Sequence, residues 1–312
     1  MKAIKKLLIA AGVLLLPAGC SEGDAPQPAV VHNVRLDSSI GTSSRAVIGS
    51  GYEKDLDIRF ARSDESGRSS GHYDAWSYPE AIRSGGSGLR PIRFAEPQLY
   101  PDEGRNIRLN GYYPVTGSPV AGSDSVIFVV DGETDIMSTG LLSGTNDAPV
   151  ENCMFRHLLS QLQFVCYSDK PSDWGSIVRI EVMGIPLREG LLLNEEIPVL
   201  YPAKDSPTAS LPVQELSDYG MPEVSPDGKK PDPKGYILIP EVPIVRLNII
   251  TTRDGTGGEV KTSHPAIVTI EDGLQAGQVH RIELFFTASG VEVITVTVTD
   301  WKNPPSDGEI IL

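Results

Sequence analysis

Val291-Glu292-Val293-Ile294-Thr295-Val296-Thr297-Val298-Thr299 is the most regular stretch of the chain. Val291, Val293, Thr295, Thr297 and Thr299 fall on one face of an extended segment, and Ile294, Val296 and Val298 fall on the other. A period of two is the signature of a β-strand. The same period places Leu56, Ile58 and Phe60 against Asp57 and Arg59, and Val178, Ile180 and Val182 against Ile177, Arg179 and Glu181. Further strands are expected over 31–36, 92–94, 105–113, 126–130, 236–239, 245–251, 266–270 and 279–286. No segment sustains a period of 3.6. Gly and Pro supply 56 of the 312 residues, so short apolar runs are separated by turns at close spacing. That pattern predicts an all-β chain of sandwich type with short helical turns only.

One segment is ambiguous. Over 154–167, Phe155, Leu158, Leu159, Leu162 and Val165 fit a helical stripe, whereas Leu162, Phe164 and Cys166 fit a strand. The expectation is one turn of helix running into a strand, opening a second sandwich. The length suits two domains, with a boundary near 145–150 that divides the body into 31–148 and 149–312. Ten prolines between Pro198 and Pro243 predict a long surface excursion with short edge strands.

The N-terminus reads as a secretory signal over 1–19. Lys2, Lys5 and Lys6 precede an apolar run, Leu7 to Leu16, and Pro17-Ala18-Gly19 lead to Cys20. A spanning helix needs about 20 apolar residues, roughly twice what this run offers. Leu-Leu-Pro-Ala-Gly-Cys resembles the lipobox of bacterial lipoproteins, which implies lipidation at Cys20. Pro17 departs from that pattern, since a branched aliphatic is usual there. Ser21-Glu22-Gly23-Asp24 resembles the surface-export tag of lipoproteins from Gram-negative anaerobes, and residues 20–30 then read as a tether.

Removing residues 1–19 from the 312 leaves 293 and takes away three lysines, so a formal charge of -14 becomes -17. Nucleic acid is not expected as a partner, because phosphate binding draws on clustered Lys and Arg. Cys153 and Cys166 remain as thiols, either paired in an oxidising compartment or buried separately. Two Cys and five scattered His do not make a metal site, and no cofactor is expected. Asp131, Glu133 and Asp135 read as a solvated turn, because the bidentate Glu of an EF-hand loop is missing. Gly85-Gly86-Ser87-Gly88 lacks the glycine a nucleophile elbow needs at Leu89. No catalytic residues are assigned, and the chain is not expected to be an enzyme. His157 is expected to pack or cap.

The strand at 31–36, the Ser43-Ser44-Arg45-Ala46-Val47 junction, Leu56-Asp57-Ile58-Arg59-Phe60, Asn110-Gly111-Tyr112-Tyr113-Pro114, the 155–164 element and the closing Val296-Thr297-Val298-Thr299-Asp300-Trp301 recur in this order behind a lipobox. In that combination the chain resembles the fimbrillin family of type V pilin subunits, anchors and tips. The resemblance implies two tandem Greek-key β-sandwich domains of transthyretin-like topology on the cell outer membrane, with other fimbrial subunits as partners. It implies cleavage by an Arg-specific protease between Arg45 and Ala46, which discards 20–45. It also implies a C-terminal donor strand over 291–312, carried by Val291, Val293, Ile294, Val296, Val298 and Trp301. Stalk, tip and anchor roles stay open. The rival expectation is a monomeric surface lipoprotein that binds glycan or host protein through its loops, with Tyr73, Trp76 and Tyr78 available to stack on sugar rings.

Overall fold

Alternating burial builds almost all of the regular structure. The computed structural model describes residues 32–300, apart from 42–47, 68–70, 217–218, 226 and 256–257. Within them the fold is all-β, with one turn of helix, α1 (Pro171–Trp174). Seven strands close into a barrel in the order β1 (Leu36–Ile40), β4 (Arg90–Phe94), β3 (Glu80–Arg83), β2 (Leu56–Asp64), β5 (Ile107–Tyr113), β8 (Met137–Gly144) and β9 (Asn152–His157). Leu36, Ile58, Phe60, Ile92, Leu109 and Phe155 fill it. Phe60 meets Phe155 edge to face with centroids 6.3 Å apart. That contact requires Gly111, since a Cβ there would lie 2.8 Å from the Phe60 ring and 3.0 Å from the Phe155 ring.

A larger core lies beyond the barrel wall. One sheet runs β16 (Lys234–Ile239), β10 (Ser160–Ser168), β19 (Gln278–Thr287), β20 (Gly290–Asp300). Another runs β14 (Thr208–Pro212), β11 (Ser176–Pro186), β17 (Ile244–Gly255), β18 (Gly258–Thr269), with β15 (Tyr219–Gly220) paired to β11. A third runs β13 (Leu200–Pro202), β12 (Arg188–Leu192), β7 (Ser125–Val129), β6 (Ser118–Pro119). Side chains from all three meet in one cluster that also takes Ala61 and Tyr112 from the barrel. β2 therefore buries Phe60 on one side and Ala61 on the other. Tyr112 crosses to Phe128 edge to face at 5.7 Å, and the Asn110 side-chain amide donates to the Leu193 carbonyl at 3.1 Å. Segments pass the 148/149 position in both directions: β9 closes the barrel and β12 pairs with β7.

Several elements differ from the sequence expectation. The first strand begins at Leu36 and takes in Asp37–Ile40, which composition assigned to a loop. Its inward positions are Leu36, Ser38 and Ile40, and the small polar Ser38 hid the alternation. The expected helical turn after Met154 is absent: β9 ends at His157 and β10 starts at Ser160. Every residue of β10 is buried, Gln161 and Gln163 included, so the polar residues that alternate with Leu162 and Phe164 mark no solvated face. The proline-rich stretch is less of an excursion than its composition implied, because Leu211, Val213, Leu216, Tyr219 and Met221 enter the large core. Its edge strand was expected over 236–239 and is β16, at one end of its sheet. The alternation that opened the sequence reading is interrupted: Leu284 pairs with Val293 and Glu283 with Thr295, leaving Ile294 as a bulge. Val296 then joins Val291 and Val293 on the core-facing side.

Glu189 is the least compatible side chain in this core. It lies on β12 opposite Phe128, is 1% exposed, and its Oε1 has no hydrogen-bond partner. Burial pushes its carboxyl up to about 7. A carboxyl whose pKa is raised on folding holds its proton more tightly when folded, so it favours the folded state at acid pH. That contribution is lost as pH climbs from the ordinary carboxylate range towards about 7. Glu189→Gln is therefore expected to be more stable than the native chain at pH 8, by on the order of 1–3 kcal/mol, with the difference gone near pH 4. Urea unfolding at the two pH values measures this.

Candidate functional site

The first strand is short and flanked by an open seam. β1 pairs antiparallel with β4 over Leu36–Ser38 and parallel with β9 over Asp37–Ile40. Asp37 stands opposite Pro91, but its own N–H turns the other way and donates to the Glu151 carbonyl at 2.9 Å. The Pro91 carbonyl accepts from the N–H of Ser84, just past β3, so the proline costs the β1–β4 ladder no hydrogen bond. A cavity of about 720 Å³ opens along this seam, lined among others by Val34, Leu36, Pro91, Ile92, Phe94 and Asn152. Apolar anchoring is firmer, with Val34 5%, Leu36 2% and Ile40 5% exposed. At about 1.5–3 kcal/mol for each such side chain, the three contribute roughly 5–9 kcal/mol.

Polar contacts fix both ends of this strand. The Val34 N–H donates to the Gln98 carbonyl at 2.7 Å, and the Tyr100 N–H donates to the His32 carbonyl at 3.1 Å. Arg62 holds that strap through the Leu99 carbonyl at 2.6 Å and the Gln98 side chain at 3.1 Å. At the other end the Gly41 N–H donates to the Phe155 carbonyl at 2.8 Å, and His157 Nε2 lies 3.3 Å from the Gly41 carbonyl. The opposite ring nitrogen of His157 is 2.6 Å from buried Asp135. His157 thus packs and ties, as expected.

The second element of the site is β20. It is the end strand of its sheet, paired to β19 from Gly290 to Asp300 and, among the described residues, to no strand on its other side. Ile294 is 46% and Val298 45% exposed, an unusual display for a long edge. Val291, Val293 and Val296 pack on the large core. Cys20, Arg45, Ala46 and Trp301 lie outside the described residues.

The remaining candidates do not converge. Tyr73 lies under the Arg108 guanidinium, 3.6 Å from the ring centroid. Trp76 donates its indole N–H to Asp124 at 2.7 Å, and Trp76 and Tyr78 pack on the core. These three are engaged internally and form no shared stacking surface. Asp131 accepts from the backbone N–H groups of Glu133 and Thr134 and from the Thr134 hydroxyl, a turn as expected, but Asp135 departs from the solvated reading, being 1% exposed and paired with His157. Cys153 and Cys166 are unpaired and buried, with burial pushing the Cys153 thiol up to about 12 and the Cys166 thiol higher still. Among the described residues no group of three metal-ligating side chains occurs, and no helix is long and apolar enough to cross a membrane.

No protein-family model matches the chain, and no curated protein does. Solved structures do. The chain is similar to a candidate cell adhesion protein from Bacteroides uniformis, at 14% identity and a TM-score of 0.56, over 88% of this chain and 100% of that one. It is also similar to one from Parabacteroides distasonis, at 9% identity and a TM-score of 0.52, over 87% and 97%. A third, from Bacteroides ovatus, gives 12% identity and a TM-score of 0.51, over 86% and 98%. At such identities the likeness is one of fold.

The two elements of the site should respond differently to truncation. Leu36→Ala is expected to cost about 2–5 kcal/mol, the range for an emptied core position. Ile294→Ser, at the exposed bulge, is expected to change stability by less than about 0.5 kcal/mol. Denaturant unfolding of the two variants side by side checks both values.

Proposed function

We propose that this chain is a structural subunit of a cell-surface fimbria that contributes to adhesion. In this reading the signal is removed, Cys20 is acylated, and the subunit reaches the outer surface of the outer membrane. The body is two tandem Greek-key β-sandwiches, divided near 148/149. An Arg-specific protease cuts between Arg45 and Ala46, 20–45 leaves, and the vacated groove takes the C-terminal strand of the next subunit.

The observation that carries the proposal is the seat of β1. It is five residues long, pairs with β4 over only three residues, and borders a large cavity, yet it contributes apolar side chains to the barrel. Its loss would expose a trough and unpaired backbone together, and strand addition satisfies both. The chain leaves this strand directly into the segment that holds Arg45. Likeness in fold to candidate adhesion proteins of Bacteroides supports the same reading. β20 forms ten register pairs with β19, so a subunit that donates 291–300 must first release that ladder.

The test is limited trypsin treatment of the purified mature protein. The expected result is a first cut after Arg45, then a ladder of SDS-resistant multimers. Arg45→Ala should remain uncut at that position and monomeric. A chain that is nicked there and stays monomeric would instead favour a solitary surface lipoprotein.

A further inference from the structure

On the face of β10 turned away from the large core, Gln161 stands opposite Leu238 of β16 and Val279 of β19. It is 0% exposed, and neither its oxygen nor its nitrogen has a hydrogen-bond partner. A primary amide offers two donors and an acceptor, and burying all of them unmet is rare in a folded chain. A cavity of about 220 Å³ adjoins it, lined by Gln161, Gln163, Glu215, Lys234, Gly235 and Tyr236 together with Pro233. That is far more room than one water needs.

The backbone around the cavity is shaped for it. Gln163 pairs with Tyr236 and Phe164 with Lys234, which leaves Gly235 as an extra residue in β16. Gly235 has φ +68°, and a Cβ there would lie 2.6 Å from Val213 Cγ1 and 2.8 Å from the Gln214 carbonyl oxygen. Glu215 has φ 54°, a left-handed conformation costly for that residue. Gln214 holds it there through reciprocal backbone hydrogen bonds with Tyr236 of 2.8 and 3.1 Å. Bulges and strained residues gather where side chains must be aimed at a ligand. Among the described residues, the Glu215 carboxylate and the Lys234 ammonium make no hydrogen bond or ion pair.

The chemistry of the lining selects the ligand. The amide supplies donor and acceptor together, the carboxylate accepts and the ammonium donates. Hydroxyl groups, which do both, match that set. Glu215, Glu133 and Asp131 all act on the Tyr236 phenol, which burial first of all holds above its usual range. With three carboxylates acting at the Tyr236 ring and a single ammonium, Lys234, in the lining, the surroundings of that ring disfavour an anionic ligand.

We propose that this cavity is a binding site for a neutral carbohydrate, in which adjacent hydroxyls bridge the Gln161 amide, Glu215 and Lys234 beside the Tyr236 ring. The site requires neither cleavage nor strand exchange, so its test is independent of the fimbrial reading.

Saturation-transfer NMR on the intact monomeric chain, with neutral hexoses and N-acetylhexosamines at about 10 mM, is the measurement. At least one neutral sugar should show transfer, and the matching uronic acid should show less. Gln161→Leu should weaken binding at least about tenfold, a shift of about 1.4 kcal/mol, while the melting temperature holds or rises, because an apolar side chain of similar size removes two unmet polar atoms. Lys234→Ala, at the exposed rim, should weaken binding in the same way and supplies the result if the first variant does not fold. Ile267→Ser, on exposed β18, should bind as the native chain does. Absence of transfer from every neutral sugar, or transfer that survives both Gln161→Leu and Lys234→Ala, overturns the proposal and leaves the cavity to water.

Discussion

Burial of β10 on both faces is the constraint from which the rest of the larger core follows. A strand with no solvated side needs two covers. One is the sheet of β11, β17 and β18, whose Ile180, Val182, Leu247 and Val268 share a cluster with Leu162, Phe164 and Cys166. The other is supplied in part by the proline-rich stretch, whose Lys230 reaches Glu283 and the Tyr167 ring and whose Glu215 and Pro233 line the cavity beside Gln161. Prolines suit that role because they fix the chain close to the strand without asking for ladder hydrogen bonds. β10 also lies parallel to β19 and antiparallel to β16, so its placement sets the register of both. Gln161 is the cost of this arrangement: a polar side chain carried into a place where the fold itself offers it nothing.

The smaller barrel depends on a different economy of contacts. Its wall of β2 and β5 is shared with the larger core, so Phe60 and Ala61, adjacent in sequence, serve separate interiors. Tyr112 and Asn110 then fasten the barrel to β7 and to the residue after β12. Opposite this wall sits β1, whose hold rests on three apolar side chains and two short ladders. One side of the barrel is thus built into the rest of the molecule, and the other is fastened chiefly by its own strand.

How much of this was legible in the sequence depends on one-sided burial. β2 alternates between apolar and polar residues and its position could be read directly, whereas in β11 a register shift between Ile177 and Arg179 buries Ile177 and exposes Val178, against the alternation read from the sequence. β1 was read too early because Ser38, an inward residue, looks like loop composition. β10 was read as a strand, but a helical turn was placed ahead of it because Phe155, Leu158, Leu159 and Leu162 also fall at helical spacing across the junction between β9 and β10. In β20 the alternation was visible and the bulge was not, since an extra residue leaves no mark in a run of valines and threonines. The cavity beside Gln161 joins residues about fifty to seventy-five positions apart, and only Gly235 within a strand pattern hinted at it. Cys20 was read from a lipobox-like motif and Arg45 from the family resemblance, and both lie outside the described residues.

The bulge at Ile294 bears on how this molecule meets copies of itself. A long outer strand of β-branched residues is a template on which sheets can grow without limit. Here the template is broken near its middle, because the side-chain parity before Ile294 is opposite to the parity after it. An incoming straight segment can match one half in phase and is out of phase with the other. Lateral growth along this edge is therefore confined to runs of about five residues, which is too little to propagate a fibril of unintended geometry.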